Sequence, residues 1–221
     1  MDAMILAAGR GERLRPVTLS TPKALVRVKG KPLIEYQLEK LASSGFRHVV
    51  INISYLADNI VDYLGDGRHY GVDISYSREP DGPYGTGGGI VNALEFLQGD
   101  RFLVVNTDVY SDIDFGTIRI DRPFSAKLIL VDNPAHNERG DFSVANGMVT
   151  VPGAPASTFT FSGVGCYRRR LFEGRSPGFT KLTEILQEGI GKGMIAAEVH
   201  SGFWMDIGTT ERLGLANSLP D

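Results

Sequence analysis

The stretch LAAGRGERLRPVTLSTPKALV, Leu6 to Val26, sets two close glycines, three arginines and a lysine directly after a short apolar run. Gly9 and Gly11 allow a backbone to approach a phosphate, and adjacent N–H groups in such a turn form an anion-binding concavity. Arg13 and Lys23 add full charges, the first as a planar fork and the second as a mobile point charge. That combination suits a small anion. Two familiar phosphate loops are excluded: no G-x-x-x-x-G-K-[ST] occurs, and GRGERL lacks the last glycine of the dinucleotide fingerprint. On spacing alone, a structural turn with solvated arginines explains the stretch equally well.

The remaining reactive side chains are dispersed. His48, His69, His136 and His200 show no zinc spacing. The single cysteine, Cys166, cannot pair within the chain and reads as a buried thiol beside FTFSGVGCY. Asp108 follows an apolar run and could cap or turn the chain, as could Asp206 ahead of Ile207-Gly208-Thr209. Glu79 and Asp141 read as lone carboxylates in polar loops, and Trp204 as a core residue.

The elements that must position these groups alternate between strand and helix patterns. Ala3–Ala8 reads as a buried first strand. KPLIEYQLEKLASSG places Leu33, Ile34, Leu38 and Leu41 on one helical face and stops at Gly45. Strands are predicted at His48–Ser54, Val72–Ser77 and Arg101–Asn106, with helices at LADNIVDYLG and Gly89–Leu97 and a glycine-rich loop before the latter. This alternation implies a parallel, doubly wound first half. The second half reads as strands AKLILVD, MVTV and TFTFSGVGCY, a helix TKLTEILQEGIG, a strand MIAAEV, a GFWMDIGT loop and a closing helix from Thr210. No linker or repeat interrupts it, so a single domain is expected over 1–221.

Composition narrows the function. With 42% hydrophobic and 22% charged residues the chain is an ordinary globular one, and a net charge of −3 argues against non-specific nucleic-acid binding. MDAMILAAG is too short to span a membrane and has an acid rather than basic residues ahead of its apolar part. No membrane or nucleic-acid partner and a cytoplasmic location are therefore expected, with a monomer or small homo-oligomer.

The long pattern decides between turn and anion site. LAAGRGERLRPVTLSTPKALV followed by GKPLIEYQLEKL resembles the signature of the sugar-1-phosphate nucleotidyltransferases, and the likeness continues through GTGGGI, NTDV, FSGVGCY and WMDIGT. It implies an α/β fold, a Rossmann-like three-layer sandwich around a mostly parallel mixed sheet. The nucleotide part would cover about the first 110 residues and the sugar part the rest. It implies transfer of a nucleotidyl group from a nucleoside triphosphate to a sugar 1-phosphate, with Mg²⁺ as cofactor and pyrophosphate as product.

At matching positions the resemblance supplies roles. Arg13 and Lys23 would grip the triphosphate and, with Asp108, form the catalytic set. Leu6, Ala7, Ala8 and Gly9 would lie along the nucleoside, while Glu79, Gly85 and Thr86 border base and ribose. Gly11, Glu12 and Asn106 complete the nucleotide set. Asp108 and Asp206 would hold the metal, and Asp141, Phe161, Ser162, Gly163 and Lys181 would face the sugar phosphate. Thr107 departs from the glycine common in the family and adds bulk beside the metal aspartate. An anionic phosphate oxygen needs no activated serine or cysteine, only alignment and neutralisation of two polyanions.

With TTERLGLANSL close to the end of the sequence, no appended β-helix and no second activity are expected. Within the family, LVDNPAHNERGDFSV and GFWMDIGTTERL most resemble uridylyltransferases that use UTP and N-acetylmuramic acid 1-phosphate. Guanylyltransferases of mannose or heptose 1-phosphate come next. A non-catalytic nucleotide sensor is the alternative of another class, and it has no need of the two carboxylates.

Overall fold

Strand β1, Asp2–Leu6, carries Ala3, Met4 and Ile5, all fully buried. A strand apolar on both faces must be covered on both, which places β1 inside a parallel sheet. It pairs in parallel with β4 (His48–Ile53) through Ala3↔Val49 and with β6 (Arg101–Asn106) through Ala3↔Leu103. The computed structural model describes residues 1–80, 84–150 and 157–220.

Between these strands lie β2 (Arg27–Val28), β3 (Lys31–Pro32), α1 (Leu33–Ser43), α2 (Ala57–Leu64), β5 (Asp73–Arg78) and α3 (Gly85–Ala93). Then follow β7 (Val109–Ser111), β8 (Ala126–Val131), β9 (Phe142–Ala145), β10 (Met148–Thr150), β11 (Thr158–Arg168), α4 (Leu182–Gly191), β12 (Ile195–His200), β13 (Trp204–Asp206) and α5 (Thr210–Ser218). The main sheet runs β5-β4-β1-β6-β11-β8-β12-β10-β9. Its first four strands are parallel as expected, β11 enters antiparallel between β6 and β8, and β12 is parallel to β8.

Side-chain alternation divides the core between the two faces. Ala3, Ile5, Val49 and Ile51 pack with Ile34 and Leu38 of α1 and Ile60 of α2. Met4, Val50, Phe102 and Val104 pack with Ile90 of α3 and Ile185 of α4. The result is the expected three-layer sandwich. Beside it, α5 packs Ala216 with Val28 and Leu33. No described helix is long and apolar enough to cross a membrane.

Two elements differ from the sequence expectation. The GTGGGI segment, read as a loop, begins α3 at Gly85. A Cβ on Gly88 would stand 1.9 Å from the Gly178 carbonyl oxygen, and one on Gly87 2.9 Å from that of Thr180. These glycines let a helix lie against another backbone, and that contact outweighs their low helix propensity. The GFWMDIGT loop contains β13, antiparallel to β7 through Asp206↔Val109. The expected MVTV strand is β10, and the strand not foreseen is β9, which pairs with it in a hairpin where Ala145 faces Met148 and Asn146-Gly147 turns at φ 52° and 72°, the geometry of a tight two-residue turn. Val151, the end of the expected MVTV strand, lies outside the described residues.

Candidate active site

The site grows from the carboxyl ends of β1, β4 and β6, where ligands bind in sheets of this kind. Beyond β1 the Ala7 N–H donates to Asn52 Oδ1 at 2.8 Å, anchoring the loop to the end of β4. The loop then folds back on itself. Gly11 has φ +61°, its carbonyl accepts from Thr18 Oγ1 at 2.8 Å, and a Cβ there would stand 3.0 Å from Lys23 Cβ. Left-handed backbone and close approach both require glycine. This fold-back brings Lys23 beside Arg13 on the wall of a cleft of about 730 Å³.

Leu6, Ala7, Ala8, Gly9, Gly11, Glu12, Arg13, Lys23, Glu79, Gly85, Thr86, Asn106 and Asp108 all line that cleft. Thr107, expected beside the metal aspartate, lines it too, as do Arg10, Ala24, Asn52, Ser54 and Gly208, which were not assigned roles. Asn52 left a trace in the sequence, a polar side chain interrupting the apolar run HVVINI. Gly208 could be placed only by the β7–β13 pairing.

Glu79 is not a solvated loop carboxylate. It is 9% exposed and accepts from Asn52 Nδ2 at 2.6 Å. Burial pushes its carboxyl above the usual range, opposed by donation from Asn52 and from the Tyr84 backbone N–H. Asn52 thus ties the basic loop to the rim opposite through one side chain.

The β7–β13 ladder sets Asp108 beside Asp206, and Ile207 N–H donates to the Asp108 carbonyl at 2.8 Å. Lys23 Nζ forms an ion pair with Asp108 Oδ2. Asp206 Oδ1 receives Arg212 Nη1 at 2.7 Å and lies 3.0 Å from His136 Nε2. Burial raises the Asp206 carboxyl above its usual range, Arg212 and His136 oppose that, and the Asp108 charge adds to it. Two neighbouring carboxylates offer hard oxygen donors, which suit Mg²⁺ when waters and phosphate oxygens complete its shell. Among the described residues no larger group of His, Cys, Asp or Glu gathers to favour another metal. Thr107 is 3% exposed and its hydroxyl donates to the Leu6 carbonyl, so its extra bulk joins β6 to β1.

Asp206, Asp141, Phe161, Ser162, Gly163 and Lys181 do not line the cleft itself. Gly163, φ +81°, sits at the bulge of β11 and abuts the Asn106 side chain, so this part of the strand reaches the cleft edge. Ser162 is buried, and its carbonyl accepts from Trp204 Nε1 at 2.9 Å. Trp204 packs against the core. Asp141 Oδ2 accepts the Phe161 N–H at 2.8 Å and Oδ1 accepts Asn137 Nδ2 at 3.1 Å, which commits the carboxylate to shaping the strand end. Lys181 is exposed at the start of α4, next to the Thr180 carbonyl that meets α3. Cys166 is buried, its thiol pushed up to about 11 by desolvation, and is inert.

Residues 2–130 match the family model described as Nucleotidyl transferase. The chain is 46% identical, over 99% of its length and 98% of the relative's, to an N-acetylmuramate alpha-1-phosphate uridylyltransferase from Neisseria meningitidis. A mannose-1-phosphate guanylyltransferase from Mycobacterium tuberculosis is 39% identical over 53% of this chain and 33% of its own. The fold superposes with a TM-score of 0.84 on a putative glucose-1-phosphate thymidylyltransferase from Bacillus anthracis, 24% identical, covering 100% of this chain and 97% of that one. With a basic glycine loop, a carboxylate pair and a cleft at the sheet edge, the chain belongs to the nucleotidyl transferase family and is a sugar-1-phosphate nucleotidyltransferase.

Proposed function

We propose that the protein transfers UMP from UTP to N-acetyl-α-muramic acid 1-phosphate, yielding the UDP-sugar and pyrophosphate, in a cytoplasmic route that reuses cell-wall sugars. The observation that carries this reading is the 46% identity, across nearly the whole of both chains, to a relative of that named activity. An oxygen of the sugar 1-phosphate attacks the α-phosphorus of UTP, the α–β anhydride bond breaks, and pyrophosphate leaves. Arg13 and Lys23 would hold and neutralise the triphosphate, Lys23 leaving Asp108 to do so. Asp108 and Asp206 would hold Mg²⁺, which supplies charge neutralisation on the phosphates. The loop from Ala8 to Gly11 would present backbone N–H groups, while the Ala7 N–H stays on Asn52 and the Asn52–Glu79 bridge would keep the base-side wall in place.

GTP is the competing nucleotide, since Glu79 could accept from guanine. Its carboxylate already accepts from Asn52 and Tyr84, which leaves it less able to do so. The test is kcat/KM for UTP and GTP against N-acetylmuramic, N-acetylglucosamine, glucose and mannose 1-phosphates. UTP with the muramic sugar should lead; preference for GTP with mannose 1-phosphate would overturn the substrate assignment.

A further inference from the structure

Arg212, near the start of α5, is 8% exposed, yet its guanidinium is only partly used. Nη1 donates to Asp206 Oδ1 at 2.7 Å and lies 2.5 Å from His136 Nε2. Nε and Nη2 are buried without a hydrogen-bond partner. Buried donors on a charged group are costly to leave unpaired, so such an arrangement calls for an acceptor.

The direction of Nη2 says where that acceptor would sit. A Cβ on Gly208 would stand 2.7 Å from Arg212 Nη2, 3.0 Å from Arg13 Nη2 and 3.3 Å from Asp206 Oδ2. Gly208 lines the cleft, so the absent side chain leaves a gap at which two guanidinium groups from opposite ends of the chain converge. One carboxylate faces them. Asp108, the neighbouring acid, is already paired with Lys23. Positive charge is in excess at this point, and two arginine forks suit the oxygens of a phosphoryl group.

We propose that Arg212 and Arg13 form a phosphoryl-binding pair across Gly208, Arg212 contacting substrate as well as holding Asp206. This rests on the nucleotidyl-transfer reading, whose chemistry offers two sources of that group: the triphosphate and the sugar 1-phosphate. His136 reaches the same cluster from the β8–β9 connection, so this connection and the basic loop meet at the anion.

The test is calorimetric binding in EDTA, which separates anion contact from any effect on a metal. Pyrophosphate, UTP and N-acetylglucosamine 1-phosphate are titrated into the full chain, Arg212→Lys and Gly208→Ala. The alanine variant keeps both charges and fills the gap, and the Gly208 φ lies outside the left-handed region, so the backbone accepts it. Loss of a charge-assisted contact predicts about tenfold to hundredfold weaker binding in both variants, with thermal midpoints near that of the unaltered protein. A loss confined to pyrophosphate and UTP assigns the triphosphate; a loss confined to the sugar phosphate assigns the acceptor. If both variants bind all three within about twofold of the unaltered protein, Arg212 only clamps Asp206 and the proposal fails. If the unaltered protein binds none of them in EDTA, the arginine pair does not hold the anion and the proposal fails; if it binds none with Mg²⁺ restored either, the UTP and sugar-phosphate reading itself fails.

Discussion

Asn52 offers the sharpest test of how the cleft is held. It is 3% exposed, accepts the Ala7 N–H at 2.8 Å and donates to Glu79 Oε1 at 2.6 Å. A Cβ on Gly89 would stand 2.6 Å from that oxygen and 2.8 Å from Asn52 Nδ2, so α3 closes over the pair. Asn52→Ala orphans a buried N–H and removes a hydrogen bond to a buried carboxylate. At about 1–2 kcal/mol for each, the loss should be about 2–4 kcal/mol at neutral pH. The pH dependence follows from Glu79. Its folded value lies above the usual carboxylate range, so between the unfolded and folded values the native state binds more protons, and stability falls as pH rises through that window. Without the Asn52 donor the folded value rises further and the window widens. The deficit of Asn52→Ala, measured by urea unfolding, should therefore be larger at about pH 7 than near the ordinary glutamate value of about 4. Asn52→Asp retains the acceptor for Ala7 but sets two carboxylates face to face, so its stability should recover steeply on acidification. A deficit below about 0.5 kcal/mol, or one equal at both pH values, would refute the bridge as the support of this wall.

Asp108→Asn and Asp206→Asn should each weaken Mn²⁺ binding, read by electron paramagnetic resonance, and lower turnover on the order of 10²–10³-fold if the ion stabilises the transition state as one oxyanion donor does. Full turnover in both variants at limiting Mg²⁺ would remove the metal assignment. Gly88→Ala should fail to keep α3 against residues 178–180, because its Cβ would overlap the Gly178 carbonyl at 1.9 Å. A loss of about 3 kcal/mol or more is expected, and a thermal midpoint unchanged from the parent would contradict the packing.

Much of the frame follows from local pattern. Apolar runs such as AMIL, HVVINI and RFLVV cannot leave either face in water, so they imply covered parallel strands, and the turns after them become the ligand edge. Gly9, Gly11, Arg13 and Lys23 have the local chemistry of an anion site, but on spacing alone they fit a solvated turn equally well, and only the longer pattern favours the anion. Those residues do converge on the cleft. What local pattern misses is set by contacts between distant segments. The glycines of α3 read as a loop until residues 178–180 supply the backbone they pack against. Asp206 reads as a turn residue until β13 pairs with β7 and carries it beside Asp108. Glu79 reads as solvated until Asn52 and Gly89 enclose it, and nothing local singles out Arg212, which the fold buries beside Asp206 and Gly208. A carboxylate's proton affinity and a guanidinium's spare donors depend on which groups stand within a few ångströms. That is a property of the folded chain, not of the residue's neighbours along the sequence.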